Sequence, residues 1–323
     1  MKRLKMERND LALALVLVVL IAVMSMLSDR FLRFGNLMQV LQQMTELGIL
    51  AIGGTAVIMT AGIDVSVTAV SALTGIMAAF CFRRGLGMAP AIAIALLTAL
   101  LAGALNGLLV GVCKVNSIVA TLGTKSVFSG LALVICSGAP ISAFSDRYIF
   151  LGQGSVGGVP TQVFILLAVL AAGYILTNRT QLGRCLSVIG NSPEAARYSG
   201  IRTKCYTFAA YIFAALCSGI GGIVMSARVA TARSDLGGTY QMQVISAILL
   251  GGTSFTGGRG KVIGSVVGVL VFAILSNGFN LAGASTFMQQ IINGALLIVI
   301  LVVRAAMDNQ KERSMIRQTK QRG

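Results

Sequence analysis

Few residues in this chain are equipped for chemistry. Asp64, in AGIDVSV, and Glu46 are the carboxylates nearest the middle of apolar stretches, where an ionisable group is costly and is kept for ion movement or for pairing. Asn106, Thr121, Thr124, Asn277 and Gln289 place amides and hydroxyls at similar depth, where such groups either bond a neighbouring helix or line a path for a polar solute. Asp64 follows Gly62, so it suits the N-cap of a restarting helix as well as a place in such a path, and both roles stay open. Catalysis has less support. The chain has no His, which removes Ser-His-Asp triads, HExxH zinc sites and His proton relays. GGTSFTGGRGK, residues 251 to 261, looks like a phosphate loop until its spacing is checked. Phe255 stands where the glycine six residues before Lys261 is needed, and Val262 replaces the following Ser or Thr. Cys81, Cys113, Cys136, Cys185, Cys205 and Cys217 have no CxxC spacing and read as small buried side chains. No metal and no cofactor is expected.

One polar segment is built with unusual care. In GNSPEAARYSG, Asn191 or Ser192 can cap a short helix, Pro193 fits its first turn and Glu194 lies near the positive end of its dipole. Ala195, Ala196, Arg197, Tyr198 and Ser199 continue it, and Gly200 supplies the left-handed stop. Two turns are too short to be stable alone in water. Ala195, Ala196, Tyr198 and Ile201 form a small, knobbed face that would fit a groove in another protein, whereas an ordinary loop helix on a membrane surface is the plainer alternative.

The elements that must position these residues are apolar runs. Hydrophobic residues make up 56% of the 323-residue chain and charged ones 11%, and mean hydropathy is +0.85. Such a chain is a polytopic helical membrane protein, with membrane lipid as its surroundings. Hydropathy predicts ten spans, near 11–28, 39–60, 64–82, 89–112, 117–136, 162–177, 205–227, 240–256, 261–281 and 286–303, the first read as an uncleaved span rather than a signal peptide. Net charge is +16, but the basic residues sit between the runs and at the two ends, so nucleic acid is not expected. With both termini cytoplasmic, 18 of the 26 basic residues fall inside and seven outside, Lys125 being left within a span. Arg83 and Arg84 fall on the unfavoured side. Gly103, Gly107 and Gly111, and likewise Gly260, Gly264 and Gly268, recur every four residues and predict close helix packing.

In order along the chain stand GIDVSV (62–67), Asn106-Gly107, NSIVATLGT (116–124), GAPI (138–141), GRCLSVIGNSPEAARYSGI (183–201), GGTSFTGGRGKVIG (251–264) and Asn277-Gly278. Together these resemble the ribose-type permease subunits of bacterial ABC sugar importers over nearly the whole chain. The resemblance implies one transmembrane permease domain over 1–323, with a cytoplasmic coupling loop at 178–204 and a basic cytoplasmic tail at 304–323. It implies that residues 191–200 are the coupling helix seated in an ATPase subunit. It further implies a second permease subunit, an external sugar-binding protein, and a location in the bacterial inner membrane. The chain departs from the family at Ala61, where a second glycine is frequent, and at Thr68, where glycine is common. An ion-coupled carrier working without an ATPase is the alternative reading.

Overall fold

In hydrocarbon every backbone N–H and C=O must be bonded within the chain, so long apolar segments have little choice but to become helices. The computed structural model, which describes residues 8–285, 287–300 and 302, is accordingly helical almost throughout. The apolar runs give α1 (Arg8–Leu27), α2 (Phe34–Met59), α3 (Val67–Arg83), α4 (Met88–Gly107), α5 (Ser117–Cys136), α7 (Thr161–Asn178), α10 (Thr203–Val229), α11 (Tyr240–Leu250), α12 (Val262–Leu281) and α13 (Phe287–Ile300). A one-turn π-helical segment, Leu108–Val112, extends α4. Polar connections carry the short helices α6 (Asp146–Gln153), α8 (Gln181–Asn191) and α9 (Pro193–Tyr198), and a two-stranded antiparallel hairpin spans residues 155–160. Among the described residues, five helices are long and apolar enough to cross a membrane by length and composition: α4 with its extension, α5, α7, α10 and α12. The basic tail expected at 304–323 lies outside the described residues.

The core is organised around α10 and α2. Ile49, Leu50, Ala51 and Ile52 of α2 and Ala210, Tyr211 and Val224 of α10 are fully buried, whereas α1, α5 and α7 turn Leu15, Val134 and Leu167 outward. An apolar exterior around buried Thr, Ser, Asn and Gln side chains reverses the usual soluble arrangement and suits lipid. The α4–α10 seam is close because Gly103, Gly107 and Gly111 face it. A Cβ there would meet Ala215 and Tyr211, then Phe208, then the backbone of Lys204. Gly264 and Gly268 do the same for α12, lying against the carbonyls of Gly251 and Ala247.

Three sequence expectations change. The run 240–256 is helical only to Leu250, because residues 251–261 form a loop with positive φ at Gly252, Gly257 and Gly258. Gly260 therefore precedes α12 instead of continuing its glycine stripe, and sits against the side chains of Met59 and Thr55. Of the six cysteines, Cys113 and Cys205 are exposed.

The bundle has two distinct ends. At one, the C-termini of α2 and α7 meet α8 and loop 251–261: Gly190 abuts Met59 and Gly258, Gly183 abuts Thr177, and Gly258 N–H donates to the Met59 carbonyl at 3.0 Å. At the other, the C-terminus of α3 meets α6 and the C-terminus of α10. Phe82 packs edge-on against Phe144 and Tyr148, the Tyr148 hydroxyl lies 2.8 Å from Ser226 Oγ, and Gln153 Nε2 donates to the Arg228 carbonyl at 2.8 Å. Seventeen helical residues carry α3 about 25 Å from the first end, so Arg83 and Arg84 lie at the end opposite α9.

Candidate functional site

The break between α2 and α3 is the first polar centre. α2 stops at Met59 and the chain turns through Ala61, which adopts φ +62°. Residues 62–66 then run extended or bent and largely buried, with backbone groups that need partners. α5 provides them: Ile63 N–H donates to Ser117 Oγ and Val65 N–H to Thr121 Oγ1, each at 3.1 Å. Asp64 Oδ1 accepts from Ser66 N–H at 2.8 Å and from Ser66 Oγ at 2.6 Å. α3 starts at Val67 with Ser66 before it, so Asp64 is not the N-cap; it stabilises the turn two residues earlier. Asn106 Nδ2 donates to Ser66 Oγ at 2.8 Å, and Thr124 Oγ1 donates to Asn106 Oδ1 at 2.6 Å. Asp64, Asn106, Thr121 and Thr124 are thus gathered into one buried network. Its members satisfy one another, which holds the break against α4 and α5.

Asn277 and Gln289 lie elsewhere. Asn277 and Asn36 exchange two amide hydrogen bonds of 2.9 and 2.8 Å, pinning α12 to α2. Gln289 Nε2 donates to Asn280 Oδ1 at 2.8 Å, on the wall of a cavity of about 530 Å³ between α2, α11, α12 and α13. Beside that cavity is an ion pair that sequence reasoning did not assemble. Glu46 accepts from Arg228 Nε through Oε1, and through Oε2 from Arg228 Nη2 at 3.2 Å and the Tyr240 hydroxyl at 3.1 Å. In the sequence Glu46 stands alone as a carboxylate in an apolar stretch, 182 residues from Arg228. Gln243, Gln290 and Asn293 also reach the cavity. A signal for Gln290 and Asn293 is present in the sequence: with Gln289 they recur at i, i+1 and i+4 in an otherwise apolar helix. On the neighbouring loop, Arg233 donates two hydrogen bonds to Asp235, at 2.9 and 2.7 Å, and these hold the Asp235 carboxyl below its usual pKa.

The third feature is the α8–α9 elbow. Ser192 is the cap, its Oγ accepting from Ala195 N–H at 3.2 Å, Pro193 opens the helix, and Gly200 closes it at φ +77°. Asn191 ends α8 instead, its carboxamide lying where a Cβ on Gly258 would go. Ala196 is fully buried against the chain, so the outward face consists of Glu194, Ala195, Arg197 and Tyr198, the last 82% exposed with the Arg197 guanidinium 5.6 Å from its ring centroid. α9 therefore stands on a rigid footing, because α8 is wedged against Met59 and loop 251–261. That loop in turn is tied to α2 and α12: Thr55 Oγ1 donates to Ser265 Oγ at 2.8 Å, and Thr253 Oγ1 lies 3.4 Å from the same oxygen.

A helical bundle with an apolar exterior, internal polar centres and an outstanding capped elbow defines an integral membrane permease. The chain belongs to the family described as branched-chain amino acid transport system / permease component, which it matches over residues 36–301. It is similar to the ribose import permease protein RbsC of Escherichia coli K12, 34% identical over 311 residues and 95% of each chain. The D-allose transport system permease protein AlsC of the same strain is 32% identical, over 89% of each chain, and the autoinducer 2 import system permease protein LsrD of E. coli HS is 33% identical over 92% of each. Among solved structures, PsaBC from Streptococcus pneumoniae in complex with Fab matches 85% of this chain and 94% of that chain at 18% identity, with a TM-score of 0.49.

Proposed function

We propose that the chain is the membrane-spanning subunit of an ATP-driven ABC importer and moves a sugar or related small polar solute inward by alternating access. The observation that carries this reading is the α9 elbow: a capped, exposed helix held rigidly to α2 and loop 251–261, where a push on α9 would be passed into the bundle instead of being absorbed. Residues 191–200 are its coupling helix within a cytoplasmic loop at 178–204, and ATP hydrolysis belongs to partner ATPase subunits. The relatives named for import of ribose and D-allose support a sugar over a branched-chain amino acid. A second permease subunit and an external solute-binding protein complete the assembly. Ten crossings with both termini, the α9 end and the 304–323 tail in the cytoplasm place Arg83, Arg84 and the Glu46–Arg228 cavity toward the exterior, all within one domain over 1–323.

Among the described residues the two buried carboxylates are engaged by protein donors, Asp64 by Ser66 and Glu46 by Arg228 and Tyr240, which favours ATP over an ion gradient as the driving force. The test is Ala195→Trp in the complex with a partner ATPase. Ala195 faces outward, so the variant should insert and fold, while ATP hydrolysis loses its stimulation by the loaded binding protein. Unchanged stimulation would sink the coupling role, and transport by the purified permease alone on an ion gradient would sink the importer.

A further inference from the structure

The cavity at the end opposite α9 has a chemistry the network around Asp64 lacks: several of its amides are not used up, although Arg228, Tyr240 and Gln289 are bonded. Gln243 and Asn293 are each only 7% exposed, and no hydrogen bond among the described residues engages either amide or that of Gln290. Gln43, on the α2 wall, has its Oε1 buried without a partner. Gln43 Oε1 is a buried polar atom left unbonded, which is costly. The unbonded amides of the buried Gln243 and Asn293 and of the exposed Gln290 line the same space, which marks a place where a ligand completes them. The space holds a small molecule comfortably at about 530 Å³.

Charge and polarity narrow the ligand. Arg228 is the cation on the wall, and Glu46 behind it cancels the charge. Carboxamides both donate and accept, as hydroxyls do, so a ring of them matches a solute bearing several hydroxyls. Leu47, Met242 and Ala273 supply apolar wall for the C–H faces of such a ring. A zwitterionic amino acid fits poorly, because its ammonium needs a free anion and the Glu46 carboxylate is already held by Arg228 and Tyr240. We propose that this cavity is the site at which the permease receives a neutral polyhydroxylated solute, through the amides of Gln43, Gln243, Gln290 and Asn293. The proposal rests on the importer reading and names its solute site.

The test uses the full chain with its ATPase partner in nanodiscs, with the exposed Cys113 and Cys205 changed to Ser and a reporter thiol at the cavity wall, Ser276→Cys. Labelling by a small methanethiosulfonate reagent is timed with D-ribose, D-allose or L-leucine. D-ribose or D-allose should slow labelling while L-leucine does not. Gln243→Leu or Asn293→Leu removes a hydrogen-bonding group, so each should raise the half-protecting sugar concentration roughly threefold to tenfold. The labelling rate without sugar should stay unchanged, which shows that the variant is folded, and Gln243→Asn should shift protection less than Gln243→Leu. Protection by L-leucine, protection by no solute, an unreactive thiol, or leucine variants that protect like the parent would each overturn the proposal. Stimulation of ATP hydrolysis by the binding protein, measured on the same sample, separates the two ideas: stimulation without sugar protection removes the cavity assignment and leaves the importer standing.

Discussion

The Glu46–Arg228 pair should behave asymmetrically when one partner is removed. The Glu46 side chain is 0% exposed and the Arg228 side chain 33%. Arg228→Met leaves a carboxylate with only the Tyr240 hydroxyl beside it in a buried place, and stranding a buried charge costs about 3–5 kcal/mol. Glu46→Leu leaves a cation that can reach water in the cavity, so its cost is nearer the loss of charged hydrogen bonds, about 1.5–3 kcal/mol. Replacing both groups removes the desolvation cost along with the attraction, and the Glu46→Leu/Arg228→Met protein should lie within about 1 kcal/mol of the parent. A double-mutant cycle on the purified full chain, unfolded by SDS in mixed micelles, then gives a coupling of about 3 kcal/mol or more. Additive single effects, with a coupling below about 0.5 kcal/mol, would refute the reasoning, since they would mean that each group finds equal solvation without the other.

Asn106→Ala removes two hydrogen bonds from the network that holds the α2–α3 break, and the same unfolding assay should register a loss of about 1–3 kcal/mol. Gly258→Ala puts a Cβ on a left-handed residue and into the Asn191 carboxamide; the protein should still purify with its ATPase but show weakened stimulation of hydrolysis, and full stimulation would mean that loop 251–261 does not transmit. Reporter fusions after Ala195 and after Gln318 should read cytoplasmic, and fusions near Arg84 and Asp146 exterior. A cytoplasmic signal at Arg84 would mean that α2 or α3 does not cross.

Apolar segments, caps and glycine seams were legible along the chain because each depends on neighbours a few residues away. In hydrocarbon a run of apolar residues must bond its own backbone, so ten such runs announce ten helices with little reference to one another. Ser192, Pro193 and Gly200 likewise act within one or two helical turns. A stripe at every fourth residue, such as Gly103, Gly107 and Gly111, identifies a flat helix face, although only the fold shows that α10 fills it. Polar side chains followed another logic. Hydropathy grades Glu46, Arg228, Asn36 and Asn277 one at a time, yet their partners stand 182 and 241 residues away. Asp64 looked like a helix cap by position, but Ser66 and the groups of α4 and α5 around it decide its role. Gln289 was visible as a polar residue in a span, while its place on a cavity wall required α2, α11 and α12 to converge on it. The cost of a buried polar group is settled by whatever the fold brings within hydrogen-bonding reach, which no single stretch of this chain contains.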